Sequence, residues 1–231
     1  MIEVFRRTEK KFLLTEKQYN QLFEIIGDHL KKDPYYESKI CNVYYDTDNH
    51  DLIMTSLEKP IYKEKIRLRS YDVPTLDDKV FLEIKKKYKG VVGKRRIKIK
   101  LKDFYDYINK GIKPDCNKQI LEELDYCFNR YNLKPSLFLA YDRLSYYDKD
   151  DKNFRITFDK NIRSREDNMN IEQGDYGDKY FKEETYIMEA KALNSYPLWF
   201  INALSKLQIY STSFSKYGSI YKQKIKEEIY V

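Results

Sequence analysis

Five segments of this chain alternate charged or polar residues with apolar ones at a period of two. The charged or polar positions are Lys63, Lys65, Arg67 and Arg69; Glu83, Lys85 and Lys87; Lys94, Arg96 and Lys98; Arg155, Thr157 and Asp159; and Glu189 and Lys191. Because successive side chains on a strand point to opposite faces, each segment predicts a strand with one apolar and one ionic face. Several such strands side by side predict a charged sheet face.

This predicted face has two interpretations. The first is an ordinary antiparallel sheet with one face on a core and the other in water. The second follows from the repetition of Arg and Lys in register with only a few carboxylates. Since neighbouring like charges repel, such a face is stable where a polyanion or a metal balances it. If the sheet curls into a barrel with this face inward, it forms a tunnel for phosphate, and helices must cover the outward apolar faces.

Length and composition narrow the class of protein. A chain of 231 residues fits one domain, which we predict to span residues 1–231. A net charge of +7 favours an anionic partner, such as nucleic acid, a nucleotide, polyphosphate or anionic lipid. No signal peptide or membrane span is evident, so we expect a cytoplasmic protein. Three cysteines and two histidines leave little material for a zinc site or a histidine-based triad.

The patterning also predicts the order of elements. Strands are expected at about 2–14, 63–72, 79–89, 92–100, 137–147 and 153–159, in the segment CNVYYDT, and in a segment ending at about Ala192. Helices are expected from Thr15 to about Leu30, in two parts over 102–132 with a break near Gly111 to Pro114, and from Pro197 onward. The polar stretch 164–178 is predicted to be a mobile loop.

Seven motifs then follow one another along the chain. They are YYDT, KIRLRSY, FLEIKKK with GKRRIKIK, LAYDRLSYY, FRITFD, IMEAK and SFSKY. In this order they resemble the polyphosphate polymerase domain of the vacuolar transporter chaperone family, the VTC domain, which belongs to the triphosphate tunnel metalloenzymes. The resemblance covers nearly the whole chain. It implies an α+β fold, with an antiparallel β-barrel around a charged lumen and helices packed on the outside.

The resemblance also implies an activity. Enzymes of the polymerase kind transfer the γ-phosphate of ATP to a growing inorganic polyphosphate chain, with a divalent metal, Mn²⁺ or Mg²⁺. ATP and inorganic polyphosphate are then the expected partners, and no nucleic acid is expected. Because the chain shows no membrane segment, coupling to translocation would need a separate membrane protein as partner. Such a partner would place this cytoplasmic protein at the inner face of a membrane.

Site residues are implied motif by motif. The implied catalytic residues are Arg67, Arg69, Lys85, Arg143, Arg155 and Lys216, and the implied substrate-binding residues are Lys11, Lys65, Lys94, Tyr141, Lys191 and Ser215. Glu189, with Glu9, is the implied metal ligand. Other interpretations remain open for some of them. Glu9, Glu83 and Asp159 could pair structurally with neighbouring Arg and Lys, Tyr141 could pack in the core, and Ser215 could cap the final helix.

The chain departs from the family pattern in two ways. Where the fungal polymerase has a second lysine before its SK pair, this chain has Ser213, which predicts one phosphate contact fewer. No SPX-like domain precedes the first predicted strand, so we expect no regulation by inositol pyrophosphate through a fused sensor.

Two other functions compete with the polymerase. A hydrolase of the same fold would cleave triphosphate, tripolyphosphate or thiamine triphosphate. Such enzymes carry an ExExK signature, whereas this chain has Arg7, Glu9 and Lys11, which argues against two-metal hydrolysis. A binding barrel would hold RNA, single-stranded DNA or polyphosphate without catalysis. Sheets that bind nucleic acid place aromatic residues on the basic face, but Phe154 and Phe158 fall opposite Arg155, which disfavours base stacking.

Overall fold

A computed structural model of the protein describes residues 8–229, which contain nine strands and six α-helices. The strands are β1 Thr8–Thr15, β2 Leu30–Asp46, β3 Tyr62–Tyr71, β4 Lys79–Tyr88, β5 Val91–Lys100, β6 Lys134–Asp148, β7 Arg155–Arg165, β8 Asp178–Lys179 and β9 Thr185–Ala192. The helices are α1 Glu16–Ile26, α2 Asp51–Leu57, α3 Leu101–Lys110, α4 Lys118–Tyr131, α5 Leu198–Lys206 and α6 Lys216–Ile229.

The strands form one sheet in the order β1-β9-β7-β6-β2-β3-β4-β5, with β8 paired to β7. The pairings β1 with β9, β7 with β9, β2 with β3, β3 with β4 and β4 with β5 are all antiparallel. The predicted α+β class with an antiparallel sheet is therefore confirmed. No described helix combines the length and apolar composition needed to cross a membrane.

By its internal contacts the chain divides into two compact units. The first contains the described residues of Met1–Ser38, Tyr141–Ile162 and Lys179–Phe214, and the second those of Lys39–Ala140, Arg163–Asp178 and Ser215–Val231. The division does not test the expectation of a single domain over residues 1–231, which stays a prediction.

The first unit has its core between strands β1, β7 and β9 and helices α1 and α5. Phe12, Phe158, Met188 and Phe200 are buried in it. Helix α1 begins as predicted, because Thr15 and Gln18 form a capping box in which each side chain bonds the other's backbone N–H. The apolar faces of the three strands therefore pack inward, and their charged positions lie on the opposite face.

The second unit buries the apolar face of β3, β4 and β5 beneath helices α3 and α4. Its core includes Ile66, Leu82 and Ile97 from the strands and Phe104 and Leu124 from the helices. The predicted positions of these strands and the break between the helices are confirmed, since α3 ends at Gly111 in the left-handed conformation. One face of these strands thus lies on the core and the other is ionic, as alternation predicts.

Two strands are longer than predicted. Strand β2 begins at Leu30 and not near Cys41, and β7 continues to Arg165 beyond the expected end near 159. The added parts, LKKDPYYESKI and KNIRSR, lack the regular alternation that marks the other strands, so no pattern indicates them. The second extension covers the start of the stretch 164–178, for which the sequence predicts a loop.

Candidate functional site

The ionic side of β3, β4 and β5 carries three cross-strand rows of side chains. The register places Lys65 beside Lys85 and Lys94 (the lysine row), Arg67 beside Glu83 and Arg96 (the central row), and Arg69 beside Phe81 and Lys98 (the outer row). Paired residues in a sheet point to the same side, so these nine side chains form one surface, here called the basic face. It holds seven cations and one carboxylate.

Glu83 is the centre of this face and its side chain is only 2% exposed. Its Oε2 accepts from Nε and Nη2 of Arg67, both at 2.8 Å, and its Oε1 lies 2.6 Å from Nζ of Lys94. Nε of Arg69 and Nη1 of Arg96 each lie 3.9 Å from a Glu83 oxygen. Burial raises the pKa of Glu83, but Arg67, Arg69 and Lys94 outweigh it and lower the pKa to about 2. The structural pairing expected for Glu83 is present.

Burial and the positive charges of this face shift the pKa values of two neighbouring groups. Burial lowers the pKa of Lys94 to about 8, even though Glu83 favours its charged form. Burial raises the pKa of Tyr44, but the charges of Arg67, Arg69 and Lys65 outweigh this effect and lower it to about 8. Tyr44 lies beside Arg67 on β2 and accepts a 3.1 Å hydrogen bond from its Nη1. The lowered pKa values of Glu83 and Tyr44 indicate that this face favours negative charge.

The final helix contacts the lysine row through Ser215. Nζ of Lys65 donates to Oγ of Ser215 at 3.3 Å, and the same oxygen accepts from the backbone N–H of Gly218 at 3.3 Å. Ser215 therefore caps α6, as the alternative interpretation expected, and also contacts an implied phosphate ligand. Lys216 is the partly buried first residue of α6, and Lys85 is exposed in the lysine row.

An aromatic ring lies on the basic face, where the sequence patterning points only to charge. Phe81 occupies the middle of the outer row, with the guanidinium of Arg96 at 4.6 Å and the ammonium of Lys98 at 5.9 Å from its ring centre. The signal is present in the sequence, because Phe81 precedes Glu83 by two residues. In this unit an aromatic residue therefore shares the face of the basic residues, whereas the sequence places Phe154 and Phe158 opposite Arg155.

In the first unit, two carboxylates and two lysines meet on β1 and β9. Nζ of Lys11 lies 3.4 Å from Glu189 and 4.0 Å from Glu9, and Nζ of Lys191 lies 3.0 Å from Glu189 and 3.9 Å from Glu9. These four residues are here called the carboxylate cluster. The register explains their meeting, since Glu9 pairs with Lys191 and Lys11 with Glu189. Arg7, the other residue of the amino-terminal motif, lies outside the described residues.

A buried hydroxyl group lies beside the carboxylate cluster. Thr157 pairs with Glu189 in the register of β7 and β9, and its Oγ1 makes no hydrogen bond to any described residue. Two carboxylates and this hydroxyl are hard oxygen donors of the kind that Mg²⁺ and Mn²⁺ prefer. Among residues 8–229 no group of three or more His, Cys, Asp and Glu could hold a metal unaided. The donors thus fit an ion whose remaining ligands come from phosphate and water, which is the usual way that proteins bind Mg²⁺.

Arg143 and Asp159 form a bidentate, buried ion pair in the first unit. Nε and Nη2 of Arg143 donate to the two oxygens of the fully buried Asp159 at 2.6 and 2.7 Å. Burial lowers the pKa of Arg143, but Asp159 outweighs it and raises the pKa well above the ordinary value. Tyr141 is buried with its ring 5.3 Å from the guanidinium. The structural pairing expected for Asp159 and the packing expected for Tyr141 are both present.

The backbone of Arg155 is in register with the carboxylate cluster, but its side chain extends away from the cluster. It pairs with Lys191 in register, yet its side chain is 54% exposed. Its Nε donates to the carbonyl of Lys152 at 3.4 Å, and its Nη1 lies 4.0 Å from Asp33. The structure therefore does not bring the guanidinium of Arg155 to the implied metal ligands.

Comparison with solved structures supports the same fold. A candidate adenylate cyclase from Bacillus halodurans aligns with a TM-score of 0.56 and 13% identity over 90% of this chain and 92% of its own. A candidate adenylyl cyclase from Hippeastrum, described as having a dominant triphosphatase activity, aligns with a TM-score of 0.54 and 12% identity over 94% of this chain and 96% of its own. At these identities the likeness shows the fold alone. None of the curated proteins compared with this chain matches it.

The sequence itself carries the assignment to a family. The VTC domain matches residues 6–224, a span that includes every implied site residue and both the basic face and the carboxylate cluster. The motif order that suggested the resemblance is thereby confirmed over nearly the whole chain. This protein belongs to the VTC domain family, and it shares its fold with the two candidate cyclases.

Proposed function

We propose that this protein is a metal-dependent polyphosphate polymerase, which transfers the γ-phosphate of ATP to a growing inorganic polyphosphate chain. The family match and the fold support an enzyme of the triphosphate tunnel type. The observation that carries the more specific proposal is the basic face, on which seven cations surround one buried carboxylate. Seven cations on one face suit a polyanion with several phosphates better than a single phosphate.

The rows of the basic face suit different parts of the reaction. Arg67 and Arg69 offer planar guanidinium groups that bind two oxygens of one phosphate and hold it in a fixed orientation. The lysine row offers point charges on flexible stems, which bind a phosphate chain without fixing its position. A polymerase needs both, because it must hold the reacting phosphate still and let the product advance.

The carboxylate cluster supplies the proposed metal ligands, Glu189 and Glu9, with the hydroxyl of Thr157 beside them. A divalent cation bound there would neutralise charge on phosphate oxygens during transfer. Lys11 and Lys191 already neutralise both carboxylates, so a cation held by Glu189 and Glu9 would replace these ammonium groups. Such an exchange of partners would keep the charge of the buried Glu189 compensated.

No protein nucleophile is required. A terminal oxygen of the acceptor chain attacks the γ-phosphorus, the bond between that phosphorus and the β,γ-bridging oxygen breaks, and ADP leaves. The transition state spreads charge over the transferred phosphoryl oxygens, so catalysis consists of positioning and charge neutralisation. Arg67 and Lys216 are proposed to act in this way, each by its positive charge, and the catalytic role implied for Arg143 stays a prediction.

A hydrolase of the same fold is the second candidate. Glu9 and Lys11 retain part of the amino-terminal signature, and the Hippeastrum structure is described as having triphosphatase activity. Water would then replace the acceptor chain as the attacking group.

A cytoplasmic location and a separate membrane protein that receives the product stay predictions.

The test is incubation of the purified protein with ATP and Mn²⁺ or Mg²⁺, with polyphosphate resolved on gels and free phosphate assayed in parallel. Two adjacent residues of β4 give a matched pair of variants. Lys85 lies in the lysine row, whereas Lys86 points to the opposite face and pairs with Glu123 at 2.6 Å. We expect chains to disappear in Arg67→Ala, to fall in yield or length in Lys85→Ala, and to persist in Lys86→Ala.

Each other outcome selects another function. Free phosphate without chains supports the hydrolase. If neither chains nor free phosphate form, the remaining function is binding of polyphosphate without catalysis. Full chain synthesis in Lys85→Ala contradicts the role given to the lysine row.

A further inference from the structure

Phe81 is the one uncharged side chain among the nine of the basic face. It is partly exposed, and its ring is bordered by the guanidinium of Arg96 at 4.6 Å. The ring of Tyr71 meets it edge to face, with 5.8 Å between ring centres and 88° between planes. Tyr71 is itself 52% exposed, so this end of the face presents aromatic surface together with a planar cation.

An inorganic polyphosphate chain gains no binding contact from such an aromatic surface. Phosphate oxygens bind cations and hydrogen-bond donors, and the electron-rich face of an aromatic ring offers them neither. A nucleobase does use it, because bases stack on aromatic side chains and on the planes of arginine. The outer row therefore matches the part of a nucleotide that polyphosphate lacks.

The neighbouring arginine connects this surface to the phosphate-binding rows. Arg69 lies beside Phe81 in the outer row, and its Nε donates to Oδ1 of Asn42 at 2.9 Å. The same nitrogen is 3.9 Å from Oε2 of Glu83 in the central row. Successive rows on one face are about 6.8 Å apart, because each is two residues along a strand. A nucleotide whose base lies at the outer row can thus place its phosphates along the central and lysine rows.

We propose that Phe81, Tyr71 and Arg96 form a nucleobase subsite that binds the base of the nucleoside triphosphate substrate. This inference rests on the proposed function, and it adds the orientation of the substrates across the three rows. The base binds at the outer row, the reacting phosphates at the central row, and the polyphosphate chain at the lysine row. The subsite gives the protein a means to distinguish ATP from tripolyphosphate, which carries the same kind of phosphate chain without a base.

The test compares the binding of ATP with that of tripolyphosphate by calorimetry, in EDTA so that neither is turned over. We expect Phe81→Leu to weaken ATP binding about tenfold, equivalent to about 1.4 kcal/mol, and to change tripolyphosphate binding by less than about twofold. Phe81→Trp is expected to retain ATP binding, because it preserves a stacking surface. Tyr88→Leu is the matched control, since Tyr88 is an exposed aromatic residue of the same strand on the other face.

Two results overturn the subsite. Unchanged ATP affinity in Phe81→Leu shows that the base binds elsewhere. An equal loss for both ligands shows that the ring only holds Arg96 or Arg69 in place. If the wild-type protein binds neither ligand in EDTA or with Mg²⁺, the subsite and the proposed function fail together. If ATP binds through Phe81 but no chains form in the synthesis assay, the polymerase fails and the subsite stands.

Discussion

Replacing Glu83 by Gln removes the one negative charge of the basic face while keeping the shape of the side chain. The pKa of Glu83 is about 2 in the folded protein against an ordinary value of 4.5. A difference of that size corresponds to about 3 kcal/mol of stabilisation at neutral pH. The side chain is almost completely buried, so solvent screening takes little from this value. We therefore expect Glu83→Gln to lower the free energy of unfolding by about 3 kcal/mol at pH 7.

The pH dependence follows from the direction of the shift. Because the folded pKa is lowered, the stabilisation by Glu83 is complete above pH 4.5 and is lost as the pH falls toward 2. At pH 3 about 2 of the 3 kcal/mol should be gone, so the difference between wild type and variant should shrink to about 1 kcal/mol. Urea unfolding at pH 7, 5, 4 and 3 measures this difference. Glu123→Gln is the control, because Glu123 forms more accessible pairs with Lys86 and Arg95 and should cost less than about 1 kcal/mol.

The same variant tests whether a polyanion balances the face. Tripolyphosphate should raise the melting temperature of Glu83→Gln more than that of the wild type, since it supplies the missing negative charge. A stability difference that is the same at pH 3 and pH 7 would refute the electrostatic reasoning. Equal stabilisation of both proteins by tripolyphosphate would show that it binds away from the basic face.

Three further substitutions have definite expected outcomes. Thr157→Val should raise the free energy of unfolding of the ligand-free protein by about 1 kcal/mol, because it removes an unsatisfied buried hydroxyl. The same substitution should weaken Mn²⁺-dependent tripolyphosphate binding severalfold in titration calorimetry. Asp159→Asn should cost about 3 kcal/mol in urea unfolding, because it leaves Arg143 buried without its charged partner. Gly177→Ala should lower the free energy of unfolding by at least about 1 kcal/mol, because φ at Gly177 is +156° and a Cβ would lie 2.5 Å from the carbonyl oxygen of Ser164. An unchanged melting temperature would contradict this steric argument.

The basic face can be predicted from the sequence because alternation fixes which side of a strand is buried. Alternation alone places Arg67 and Lys85 on one face, and the buried hydrophobic neighbours of both residues on β3 and β4 explain why. The contacts of Glu83 with Arg67 and Lys94 cannot be predicted in this way. They depend on the register between strands, which turns and packing decide.

Several residues depart from what alternation predicts. Glu64 lies on the apolar side of β3 and is buried, because the hydroxyls of Tyr62 and Tyr131 donate to its oxygens at 2.8 and 2.6 Å. Tyr131 is 67 residues away along the chain, so no local pattern could reveal the pairing. Arg155 shows the converse. Its register agrees with the alternation, but its position at the start of β7 lets the side chain extend toward Asp33 and solvent.

The order in which the two sets of charged residues form during folding follows from their spacing along the chain. The basic face comes from three consecutive strands, β3 to β5, whose pairings close loops of only a few tens of residues at most. The carboxylate cluster needs Thr8 to pair with Ala192, a separation of 184 residues. Because the entropy of loop closure grows with loop length, we expect the local hairpins to form first and the β1–β9 pairing late. A chain still emerging from the ribosome could then hold phosphate before it acquires the carboxylates that would bind metal.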